Sequence, residues 1–402
     1  MKTMAWPMEP NEVMRALRAL QFKHGKWDIF HRGDTSILPE AIVLSDEEHR
    51  TLVEAAENTW SALRNIEDVV RRDMSMLKAV AVPESLRQAT VTQREDNPRV
   101  TRCDFHLTEK GRWKISEFND DDPSGFPEST GLAQVLTEGW GDRFANLRFA
   151  GDLRAAVVDS LSSWPTIGCI HATGYSQDLQ HTALVEQWLQ EAGHDTVLGS
   201  PSNFRVEDEQ AFVFDTPVDA IFRYYPGEWL AEVPNVDDWA RAAAFLPTMN
   251  PLSALALQSK RFYACWTEHD IAVPDAARKL LDKYLPESVY LGRLTPEEIL
   301  KNPKTWVLKG AFGRTGDKVR IGPLMPKDKW KKAVEKAFQS PETVVAQKRF
   351  ETAPLWTSRG LGYATVGVYL VDGEFAGYFS RIDKGPLINY DSWHVPTLVE
   401  IS

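Results

Sequence analysis

At Val100 the hydrophobic pattern of the chain changes from a helical to an extended period, and two short runs around one tight turn then gather polar residues on one face. Arg99 to Leu107 and Trp113 to Asn119 read as strands on either side of Lys110-Gly111. Side chains alternate along a strand, so Arg102 shares a face with Asp104, and Glu117 shares one with Asn119. With Lys110-Gly111 at the centre of a hairpin, or with a four-residue loop from Glu109 to Arg112, opposite residues have numbers summing to 221. Asp104 then falls opposite Glu117, and Arg102 opposite Asn119. An odd-numbered loop would break the alignment, because a one-residue slip turns every side chain over.

Two carboxylates directly opposite each other are unfavourable in a plain sheet. A divalent cation between them reverses that. Asp104, Glu117 and Asn119 offer hard oxygen donors of the kind Mg²⁺ takes together with waters and substrate phosphates. Arg102 beside such a cation would be placed to hold a transferring phosphoryl group. The spacing equally allows a solvated polar face, with Arg102 paired to a carboxylate.

The pattern on either side of this hairpin is mixed. Residues 10 to 30 and 47 to 77 read as helical, the second on the strength of Leu52, Ala55, Trp60, Leu63 and Ile66. Helices are also expected over 150–163, 179–192, 253–268 and 327–338. Strands are expected at 166–172, 196–198 and 220–225. Further strands are expected at 305–309, 318–321, 343–350, 362–371 and 374–382. Strands alternating with helices over 160 to 250 suggest a small doubly wound α/β unit. No GxGxxG follows its first strand, so a dinucleotide-binding reading has no support. The last hundred residues read as α+β with an antiparallel sheet.

The chain has 402 residues, enough for two or three domains. Its formal net charge is −11, which argues against non-specific nucleic-acid binding. Cys103, Cys169 and Cys265 stand far apart, with no zinc spacing, and read as thiols of a reducing compartment. Met1 to Trp27 has no apolar core of a signal peptide, and no stretch approaches the roughly 18 apolar residues of a membrane span. A cytoplasmic protein that does not engage a membrane is the expectation.

Two loops add to the picture. Lys309 ends a strand and is followed by Gly310, Gly313, Arg314 and Gly316 before the chain re-enters a strand. Glycines let backbone N–H groups approach phosphate oxygens, and a lysine supplies a point charge. This is not a Walker A loop, since GxxxxGK[ST] is absent, and a flexible hairpin loop would look the same. Asp120-Asp121-Asp122 fails the EF-hand pattern at Pro123; it reads as a loop capping the next helix or as a wall of a substrate site.

Taken together, these segments resemble a known family. Arg102-Cys-Asp104 followed by ISEFNDDDPSGFPEST is similar to the metal-binding segment of the glutathionylspermidine synthase family, and WVLKGAFGRTGDKVRIG to its ATP-covering loop. GVYLVDGEFAGYFSRID near the C-terminus is also similar. The resemblance runs from about residue 95 to 402 and fits best the short, synthetase-only acid–amine ligases; no segment looks like the amidase domain of the bifunctional members.

The resemblance implies an ATP-grasp fold in circularly permuted order with an inserted Rossmann-like domain. On that basis the chain divides into 1–160, with the metal-binding strands, 161–250, the Rossmann-like pre-ATP-grasp part, and 251–402, the nucleotide-binding region. It implies that Arg102 stabilises phosphoryl transfer and that Asp104, Glu117 and Asn119 ligate Mg²⁺. Lys260, expected within a helix, and Lys309 would bind ATP phosphates, while Thr315 and Gly316 close over the nucleotide. Gln347, Lys348, Arg349 and Phe350 would line the adenine pocket. Arg381 would reach the phosphates or an acyl phosphate. Asp122, Ser124, Asp178 and Tyr224 fall near substrate-contacting positions, although the sequence around the last two departs from glutathione-using members. The implied cofactors are ATP and Mg²⁺, and the implied substrates a small-molecule or peptide carboxylate and an amine. A small-molecule kinase of the same fold, and a catalytically silent nucleotide-binding protein, are the competing readings.

Overall fold

The change of period at Val100 marks entry into an antiparallel sheet. In the computed structural model, which describes residues 1–31, 33–140, 146–313 and 316–401, five strands lie side by side in the order Trp393–Val395, Glu374–Asp383, Gly360–Val371, Val100–Leu107 and Trp113–Asn119. A sixth, Pro354–Thr357, pairs with the start of Gly360–Val371. One face of this sheet is apolar: Cys103, Phe105, Ile115, Phe118, Val366, Val368, Leu370 and Ile382 are buried in one core with Leu52, Ala55, Leu63 and Ile66 of the helix Asp46–Val70. Ser45 starts that helix as an N-cap in a reciprocal capping box with Glu48. The helical stretch expected over 47 to 77 is two helices, because the Asp73 carboxylate accepts from the backbone of Ser75 and Met76 and starts a new one, Met74–Ala79.

A second antiparallel sheet runs Ser288–Tyr290, Val344–Lys348, Trp306–Gly310, Val319–Ile321. Trp306, Leu308 and Ala346 point to one side, onto Ile299, Trp330 and Val334 of two covering helices. Val307, Lys309 and Gln347 point to the other.

The doubly wound unit is present. Thr248–Met249, Ala220–Tyr224, Thr166–His171 and Asp195–Gly199 form a parallel sheet in that order, with the helix Ser176–Glu191 packed on it. A three-stranded meander, Phe204–Val218 by its outer ends, was not expected; its Gln210–Val213 and Thr216–Val218 strands are too short for a pattern to show. Lys2–Ala5, Glu40–Leu44, Thr397–Glu400 and Leu147–Arg148 make a further sheet that joins the two ends of the chain. Among the described residues no helix is long and apolar enough to cross a membrane, and all three cysteines are free and buried.

Two further helix expectations need correction. The first helix ends at Lys23, ahead of Gly25 with φ +72°. The loop that opens with Asp120-Asp121-Asp122 turns helical at Phe126. The helix expected over 253–268 is two short ones, Ala254–Gln258 and Phe262–Glu268, and Lys260 lies in the break between them.

Candidate functional site

The site face of the large sheet depends on a bulge that strict alternation does not foresee. Near the turn the hairpin pairs Phe105 with Ile115 and Leu107 with Trp113, a register one residue off the expected sum, as its odd-numbered loop dictates. Between Asp104 and Phe105 the register shifts, and Asp104 then faces Glu117 and Arg102 faces Asn119. Ser116 is the extra residue. It lets Ile115 and Phe118 both enter the core while Glu117 and Asn119 stay on the polar face. Ser116 is also put to use: its carbonyl accepts from Lys309 Nζ at 2.9 Å, and its hydroxyl meets His106 Nε2 at 3.0 Å.

Asp104 is the centre of this face. Arg102 donates to it twice, from Nε to Oδ1 at 2.7 Å and from Nη2 to Oδ2 at 3.1 Å, and Arg381 donates to Oδ2 at 2.7 Å. Asn119 Nδ2 approaches Oδ2 at 3.3 Å. Burial alone would raise the Asp104 pKa, but the two guanidiniums outweigh it and hold the carboxyl well below its usual range. Both guanidiniums lie over the Phe379 ring, at 5.0 and 5.2 Å. Arg102 reaches further, donating to the carbonyl and the hydroxyl of Ser124.

Two lysines face the same carboxylates from outside this sheet, Lys309 from the small sheet and Lys260 from the break between the two short helices. Lys260 Nζ is 3.3 Å from Glu117 Oε2, and its backbone N–H donates to Ala311 O at 2.9 Å, which fixes the helix break against the glycine-rich loop. Burial pushes Lys309 down to about 8, partly offset by Glu117. Burial would raise Glu117, yet Lys260 and Lys309 hold it below its ordinary value. His106, buried next to Asp104 on the same face, is pushed down to about 4 by burial and stays neutral near pH 7.

Gly316 has φ +72°, and a side chain there would meet Ile388 O at 2.7 Å, so the glycine-rich loop packs on the turn at 384–392. Asp383 shapes that turn by accepting from Gly385 N, Asn389 Nδ2 and Ser392 Oγ. Thr315 and Arg314 lie outside the described residues.

The acidic run splits. Asp120 and Asp121 are fully buried clamps: Asp120 pairs with Arg99, and Asp121 pairs with Arg223 of the parallel sheet at 2.5 Å and accepts from Gly227 N at 2.7 Å. Neither caps the following helix. Asp122 lines the cavity instead.

The polar face of the large sheet, the two lysines, Gly316 and Asp122 border one cavity of about 520 Å³. Its walls include Arg102, Asp104, Glu117, Asn119, Asp122, Ser124, Asp178, Tyr224, Lys260, Lys309, Gly316, Gln347, Lys348, Arg349, Phe350 and Arg381. Lys348 is among these lining residues, and its ammonium lies 4.1 Å over the ring of Trp306, its cross-strand partner. Tyr224 is stacked on His181 at 4.7 Å, and His181 is oriented by Gly125 N and Gln177 O.

Sequence reasoning missed Tyr175, His106, Trp229, Gln258 and the Pro386–Tyr390 rim, which also line the cavity. Only His106 had a signal, as the next residue after Arg102 and Asp104 in the alternation.

Asp104, Glu117 and Asn119 fit a Mg²⁺ ion by their chemistry: two carboxylates and an amide on one face, with the ammonium groups of Lys260 and Lys309 opposite. Among the described residues no group of three or more His, Cys, Asp and Glu could hold a metal by itself, so phosphate oxygens and water would complete the shell.

A search of curated proteins found no match. A glutathione synthetase-like effector from Globodera pallida aligns over 98% of this chain and 99% of its own, with a TM-score of 0.62 at 11% identity, and so shares the fold. A protein from Methylobacillus flagellatus, provisionally named a gamma-glutamylcysteine synthetase, aligns over 81% of this chain and 85% of its own at 13% identity and a TM-score of 0.43. A D-alanyl-alanine synthetase A from Vibrio cholerae aligns over 59% and 88%, at 11% identity and a TM-score of 0.32. The sequence model of the family described as glutathionylspermidine synthase preATP-grasp matches residues 26–400, and the chain belongs to that family.

Proposed function

We propose that this chain is an ATP- and Mg²⁺-dependent acid–amine ligase that activates a carboxylate as an acyl phosphate. Family membership supports the class, a ligase forming carbon–nitrogen bonds. The observation that carries the finer reading is the convergence of Arg102 and Arg381 on Asp104, with Glu117 beside it and Lys260 and Lys309 opposite.

In this reading Lys260, Lys309 and the loop at Thr315-Gly316 hold the triphosphate, and Gln347, Lys348, Arg349 and Phe350 form the base pocket. Segment 1–160 brings the metal donors, 161–250 the substrate wall, and 251–402 the nucleotide lysines. Mg²⁺, held by Asp104, Glu117 and Asn119, would supply charge neutralisation at the phosphates. Arg102 and Arg381 face the γ-phosphoryl group as a substrate carboxylate attacks it and ADP leaves. Ser124, Asp122, Asp178 and Tyr224 orient the acid and the amine. The amine then attacks the acyl carbon and phosphate departs. Positioning and electrostatic stabilisation account for the rate.

A screen of purified protein with MgATP and pooled acids, peptides and amines tests this. Phosphate release that needs both an acid and an amine, with ADP as the nucleotide product, is expected. AMP and pyrophosphate, or a stable phosphate ester of a hydroxyl formed without an amine, would refute the reading.

A further inference from the structure

The row Ser288, Gln347, Val307, Ile321 crosses all four strands of the small sheet as direct cross-strand partners. Val307, Ile321 and Gln347 line the cavity, with Val319 and Leu324 nearby, so the row forms an apolar floor with one amide at its edge. Gln347 is 2% exposed. Its Nε2 lies 3.0 Å from Ser288 Oγ, and its Oε1 is buried without a hydrogen-bond partner.

Which end of the amide points to the cavity is decided one residue away. Ser288 Oγ is 3.0 Å from the carbonyl of Pro286, a group that only accepts. The hydroxyl hydrogen is therefore committed to Pro286, and Ser288 Oγ is left as an acceptor. An acceptor there must be met by Nε2, so Oε1 is the end that Gln347 presents to a ligand. A buried, unpartnered carbonyl oxygen on a residue that lines the cavity beside Val307 and Ile321 calls for a ligand that donates a hydrogen bond.

Resting on the nucleotide reading above, we infer that Ser288 is a positioning residue for base selection: it locks the Gln347 amide so that the slot accepts a 6-amino purine and rejects a 6-oxo purine. Adenine presents an exocyclic N–H donor at that position, whereas hypoxanthine and guanine present an acceptor. Two acceptors facing each other in a buried slot leave both unpaired, and the amide cannot turn over to relieve this without breaking the Ser288–Pro286 bond.

Dissociation constants of the whole protein for ATP, inosine triphosphate and purine riboside triphosphate, each with Mg²⁺ and without acid or amine, test the inference. The unaltered protein is expected to prefer ATP over inosine triphosphate by at least ~10-fold, with the 6-unsubstituted purine between them. Ser288→Ala frees the amide to rotate and should bring ATP and inosine triphosphate within about threefold of each other. Ser288→Thr, which keeps the hydroxyl, should preserve the preference. Equal affinities in the unaltered protein, or a full preference retained by Ser288→Ala, would overturn the inference, and amine-dependent phosphate release would then still support the ligase reading. Failure of any triphosphate to bind would overturn both.

Discussion

Gly367 stands directly opposite Asp104 on the neighbouring strand, and the Arg102 side chain occupies the space that a side chain at Gly367 would need. A Cβ there would lie 2.8 Å from Arg102 Cδ and 2.5 Å from Phe379 O. The missing side chain is what lets the guanidinium lie flat between Asp104 and Ser124. Gly367→Ala is expected to lower both the melting temperature and turnover, the latter by at least ~10-fold, because a displacement of about 1 Å at a positioning group is costly. Thermal unfolding beside steady-state kinetics checks it.

Asp104→Asn and Arg102→Ala remove the centre of the charge cluster. Each is expected to reduce turnover by at least ~10²-fold, on the order of 3 kcal/mol of transition-state stabilisation. Near-normal turnover in a folded variant, judged by circular dichroism, would take these residues out of the site.

If Lys309 holds the triphosphate as proposed, nucleotide binding depends on pH. Burial lowers its pKa from 10.5 to about 8, so the ammonium is present below that pH and is lost above it. Affinity for MgATP is expected to hold at pH 7 and weaken as pH rises through about 8 to 9. Lys309→Met should bind weakly at every pH and show no such slope. Titrations from pH 6.5 to 9.5 decide the matter.

Asp121 and Arg223 tie the end of the strand that carries Glu117 and Asn119 to the tip of the parallel sheet, where Tyr224 and, in the following turn of helix, Trp229 wall the cavity. Arg223→Met leaves a fully buried carboxylate unpaired and is expected to cost about 3 kcal/mol of stability, read from urea unfolding. Loss of under ~1 kcal/mol would show that the junction is held by other contacts.

The polar tetrad was legible because alternation along a strand is local. Its register was not, since the odd loop and the bulge at Ser116 compensate each other; the trace they leave is that Ile115 and Phe118, three apart, are both core residues. The break at Lys260 carries no glycine or proline. It is imposed from outside, by Ala311 on the Lys260 backbone and by the carbonyls of Ala79, Pro341 and Val344 on the Arg261 side chain. The roles within Asp120-Asp121-Asp122 were hidden for a similar reason. Arg99 and Arg223 reach them from separate elements, and an acidic run looks solvated until such partners are known.

In the proposed reaction a carboxylate oxygen passes to phosphate within this cavity. Turnover of a substrate acid labelled with ¹⁸O in its carboxylate, followed by ³¹P NMR of the released phosphate, tests it directly. One ¹⁸O atom in the phosphate, with ADP formed in equal amount, is the predicted result. Unlabelled phosphate, or label appearing in AMP, would rule out an acyl phosphate formed at the γ-phosphoryl group.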